Sequence, residues 1–85
     1  MEIDRDRIKE ASADFRRRGW IGDEKLLLLA LAGWVYFRNP ELANLRGEPA
    51  QALVDSIIEV NQDLLPKMFS VVQERRKERE EAASA

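Results

Sequence analysis

Residues 26–37 read LLLLALAGWVYF, twelve positions without a charged side chain. As a helix this run would rise only about 18 Å. A membrane span must cross about 30 Å of hydrocarbon. Lys25 and Arg38 close the run on both sides. The run is therefore expected in a folded domain and not in a bilayer. Trp34, Val35, Tyr36 and Phe37 have strand character on their own. The Leu and Ala that precede them are strong helix formers, so a single helix over 23–38 is expected, with Asp23 as its N-cap. Twelve consecutive positions at about 100° each sample every direction around a helix. A helix that is apolar on all sides must be covered on all sides.

The rest of the 85-residue chain has to supply that cover, and it is long enough for one domain only. Over 4–18, Ile8, Ala11, Ser12 and Phe15 repeat at helical spacing but make a narrow stripe. Asp4 or Asp6 can cap the start of this segment. Arg16, Arg17 and Arg18 suit its last turn, and Gly19 suits its end. Over 39–48, Asn39 and Pro40 open a short helical turn, which Gly47 stops. Leu42 and Leu45 are its expected anchors.

From Pro49 onward Ala50, Leu53, Val54, Ile57, Ile58, Val60, Leu64, Leu65, Met68, Phe69, Val71 and Val72 share one half of a helical wheel. Gln51, Asp55, Glu59, Gln62, Asp63, Lys67 and Ser70 fall on the other half, the expected solvent side. The phase does not slip across Pro66. A nearly continuous helix to about residue 78, kinked at Pro66, is the favoured reading. The rival is a break near Asp63, with Pro66 in the first turn of a new helix. Residues 1–79 are expected to form the domain, and 80–85 a frayed polar tail.

Neither cysteine nor histidine occurs in the chain. That excludes disulfides, thiolate nucleophiles, Cys/His zinc sites and Ser-His-Asp triads. A metal would need carboxylates alone, and the calcium-loop pattern is missing. The glycines do not form a phosphate cradle. Trp20, Trp34, Tyr36 and Phe37 are expected in a core or interface and not in a ligand pocket. The mixed-charge start over 1–7 lacks the pattern of a signal peptide. A cytoplasmic, non-enzymatic protein without cofactor or metal is expected.

Two arginine clusters raise a nucleic-acid reading: Arg16, Arg17 and Arg18 beside Trp20, and Arg75, Arg76 and Arg79 continuing the apolar seam. A net charge of −2 and the interleaved Glu74, Glu78, Glu80 and Glu81 weaken any phosphate-attracting field. The alternative is that the first cluster complements a helix end, while the second lays its stems on apolar surface.

The expected fold is all-α: a small bundle of three main helices plus one short helical turn, completed by homo-oligomerisation. Two amphipathic helices cannot cover a helix with no polar face. The uncovered part would be an apolar patch of the size that marks an interaction site. The expected function is a small adaptor or regulatory protein acting through Leu27, Leu28, Leu31, Trp34, Val35 and Phe37. A homodimer is the simplest assembly. The alternatives are a structural subunit of a hetero-complex and a nucleic-acid-associated regulator.

Overall fold

The computed structural model describes residues 4–19 and 26–84. They form helices α1 (Arg5–Arg18), α2 (Leu27–Arg38), α3 (Glu48–Val60) and α4 (Pro66–Ser84), with a 3-10 helix at Pro40–Asn44. No strand occurs among the described residues. The fold is all-α as the sequence indicates, and the described residues hold four α-helices, one more than the three expected.

Helix α1 begins where the Asp4 carboxylate accepts the Asp6 amide at 3.0 Å. It ends at Gly19, whose φ of 79° is a conformation that favours glycine. Its buried face is Ile8, Ala11 and Ser12. Three ion pairs and a hydrogen bond join α1 to the stretch from Trp34 to Glu41: Arg7 pairs with Glu41, Glu10 and Asp14 pair with Arg38, and the Trp34 indole donates to Asp14. Numbers that rise along α1 fall along the other partner, so α1 and α2 run antiparallel. The expected start of α2 at Asp23 lies outside the described residues. Its end is set by Asn39, whose backbone N–H and side-chain Nδ2 both donate to the Val35 carbonyl. Pro40 then opens the 3-10 helix, and Leu42 is buried from it.

Gly47 precedes α3 with φ 67°, and Pro49 sits in the first turn, where a missing N–H costs nothing. The core gathers Ile8 and Ala11 from α1, Leu27, Leu31 and Val35 from α2, and Leu53, Ile57 and Ile58 from α3. Leu42, Leu65 and Val72 complete it.

The continuous helix expected through Pro66 is not what forms. Helix α3 ends at Val60, residues 61–64 turn, and Pro66 is the first residue of α4. At the break Asn61 is fully buried. Its Nδ2 donates to the Ile57 carbonyl at 2.9 Å and to Ser12 Oγ at 3.0 Å, and its Oδ1 accepts from Arg16 at 3.1 Å. Both donors of the buried amide and its oxygen thus find partners, and an amide left unpaired there would be costly. Helix α4 then folds back along α3. Arg75 pairs with Asp55 and Arg76 with Glu59, on the half of α3 expected to face water. At the other end, the helix runs through residues 80–84 where a frayed tail was expected.

Candidate interaction surface on the second helix

Among the described residues, helix α2 packs against α1, α3 and the 3-10 helix. Leu27, Leu31 and Val35, expected on an interaction surface, are instead buried in the monomer's own core. Leu28 and Trp34 are half-buried against that core, and Phe37 is exposed. The outward stripe carries Leu26, 51% exposed, Leu29, 71%, and Phe37, 72%, with Ala30 and Gly33 between them. These positions follow the i, i+3, i+4, i+7 rule of one helical face. A run that is apolar in every direction carries no phase, so the wheel could not choose the outward side. The stripe of Leu26, Leu29, Ala30 and Gly33 was therefore missed.

Phe37 is exposed but not loose. Its ring stacks on Trp34 with centroids 5.2 Å apart. The Trp34 indole donates to Asp14 Oδ2 at 3.1 Å, and the Arg18 guanidinium lies 4.5 Å from the Trp34 ring centroid. Asp14 also receives Arg17, Arg18 and Arg38. Partial burial pulls the Asp14 carboxyl upward, and this is outweighed by Arg18, Arg17 and Arg38, which hold it below its usual range. The result is a braced corner in which α1 fixes Trp34 and Trp34 fixes Phe37.

The two arginine clusters face inward electrostatically. Arg16 forms a two-point contact with Asp63 at 2.6 and 2.7 Å. That hydrogen-bonded guanidinium lowers the Asp63 carboxyl to about 2. Arg17 and Arg18 meet Asp14, Arg75 meets Asp55 at 3.0 Å, and Arg76 meets Glu59. Arg79 lines a shallow cleft with Glu48 and Glu59. Asp55 and Glu59 are the structural residues that periodicity misplaced. The signal that could have found them is the pair of opposite charges that a break before Pro66 brings together, Asp55 with Arg75 and Glu59 with Arg76. Trp20 lies outside the described residues.

Among the described residues, no group of three carboxylates gathers as a metal site would require, and no helix is long and apolar enough to cross a membrane. The chain matches no family, no curated protein and no solved structure.

Proposed function

We propose that the protein is a small non-catalytic interaction protein that works by presenting the outer face of α2 to another protein surface. The observation that carries this reading is the stripe of Leu26, Leu29 and Phe37, each more than half exposed and with no charged residue between them. Contiguous apolar surface of this kind marks contact sites in soluble domains. The bracing of Phe37 supports the reading, because an aromatic already fixed loses little entropy on binding. A homodimer is the simplest assembly, since one patch then serves both partners. A subunit of a hetero-complex would use the same face.

Five of the six arginines considered for phosphate contacts are paired with carboxylates of the same chain. This favours the protein-contact reading over nucleic acid. The test is sedimentation of the wild type and of Leu29→Asp across a concentration series. The wild type is expected to exceed the monomer mass as concentration rises. Leu29→Asp should remain monomeric with unchanged helicity. A wild type that stays monomeric and binds no apolar dye would count against the proposal.

A further inference from the structure

We propose that the surface meeting α2 is α2 of a second copy, crossed antiparallel about a two-fold axis at Gly33. Leu29 of each copy then lies beside Phe37 of the other. The inference rests on the reading of α2 as an interaction face and names its partner.

The first argument is symmetry in the sequence. Leu29 stands four residues before Gly33 and Phe37 four residues after it, while Ala30 and Tyr36 stand three before and three after. Residues spaced by four form a ridge on a helix surface, and packing of such ridges is the commonest way two helices cross. On α2 that ridge is large, absent, large. A two-fold axis at the gap sets each large side chain against the other kind and glycine against glycine. A charged residue would break such a pairing, and none lies between 26 and 37.

The second argument is that Gly33 has no purpose inside the monomer. Glycine weakens a helix interior more than any residue except proline. Here φ is not positive, and a Cβ placed on Gly33 would meet nothing within 4 Å. Among the described residues no neighbour needs the room. A second helix approaching closely over the bare backbone does need it.

The third argument is size. Covering Leu26, Leu29, Ala30, Gly33 and Phe37 removes on the order of 400 Å² from each copy, about half of a standard interface of roughly 800 Å² per partner. The dimer is therefore weak and reversible, and the braced Phe37 keeps its ordering cost low.

The chain has no cysteine, so single introduced cysteines report the crossing directly. A disulfide requires Cα atoms roughly 4.4–6.8 Å apart, which only residues at the axis satisfy with their own copies. Under mild oxidation Gly33→Cys should form a covalent dimer at least about ten times faster than Gln73→Cys, a surface control on α4. Mixed Leu29→Cys and Phe37→Cys should join to each other in preference to themselves. Equal rates for Gly33→Cys and Gln73→Cys, or dominant self-linking of Leu29→Cys, would overturn the crossing. If Leu29→Asp still abolished wild-type self-association, the interaction reading would survive that failure. A wild type that is monomeric at millimolar concentration but binds apolar dye would remove the second copy as partner and leave the face an interaction site. A monomer that binds no dye would remove both.

Discussion

Arg75 Nη2 lies 3.0 Å from Asp55 Oδ1, across the two antiparallel arms of the α3–α4 hairpin and ten residues from Leu65 on either side. Asp55 is buried and also accepts from Gln51 Nε2 at 2.9 Å. Arg75 keeps about a third of its side chain in water, while its buried Nε has no partner. The hairpin thus closes on a polar pair as well as on Val72.

Asp55→Ala should destabilise the protein by about 1–3 kcal/mol, since it strands the Gln51 and Arg75 donors. Arg75→Met should cost less than Arg75→Ala, because methionine keeps an apolar stem over α3. Urea denaturation of the single and double variants gives the coupling. An Asp55→Ala midpoint equal to wild type would show that the pair contributes nothing to closure.

Acid should reveal the Arg16–Asp63 pair. The Asp63 carboxyl is lowered to about 2 from an ordinary value near 3.8. A depressed folded value means that the stabilisation is complete above the unfolded value and fades as the pH falls from about 4 toward 2. The lowered Asp14 carboxyl acts with the same sign. Asp63→Asn should therefore lose less stability than wild type between about pH 5 and pH 2. Parallel melting curves for the two proteins over that range would contradict this.

Substitution with aspartate should separate the inner and outer sides of the bundle. Ile57→Asp buries an unpaired charge at a position with no exposure and should unfold the protein. Phe37→Asp, at the exposed corner, should leave the helical signal intact and shift the melting point little. Circular dichroism decides both. A folded Ile57→Asp would mean that the core is wrongly placed.

Glu59→Ala should be clearly destabilising. Its carboxylate, 8% exposed, faces Arg5 on α1 and Arg76 on α4. Its loss leaves two guanidinium groups without their shared anion, at about 1–2 kcal/mol after allowance for their own exposure. Thermal melting measures it, and a change within error would mean that the three-residue contact is not formed in solution.

The parts of the fold legible in the residues were those with a local cause. Asp4 and Gly19 marked the ends of α1, Pro40 the 3-10 helix, and Gly47 with Pro49 the start of α3. The break was legible only as the rival reading, a break near Asp63 with Pro66 in the first turn of a new helix; what the residues did not show is the buried contact of Asn61 with a partner 49 residues away, Ser12. Nothing in the phase of the apolar seam records it. The wheel sorted Asp55 and Glu59 by polarity, yet burial followed from where α4 went. The outward side of α2 was hidden for a related reason: only the packing of α1 and α3 gives a uniformly apolar helix its direction.

Asn61 also decides how the molecule comes apart. Its amide is satisfied within the chain only while Ser12 and Arg16 of α1 and the last turn of α3 are all in place. If α1 peeled away, the amide would exchange Ser12 and Arg16 for water, and Ile8 and Ala11 would leave the core with them. The bundle therefore has no low-cost way to release its first helix alone. Backbone amides of α1 and α3 should exchange with solvent through the same opening event, with equal protection and a common response to denaturant.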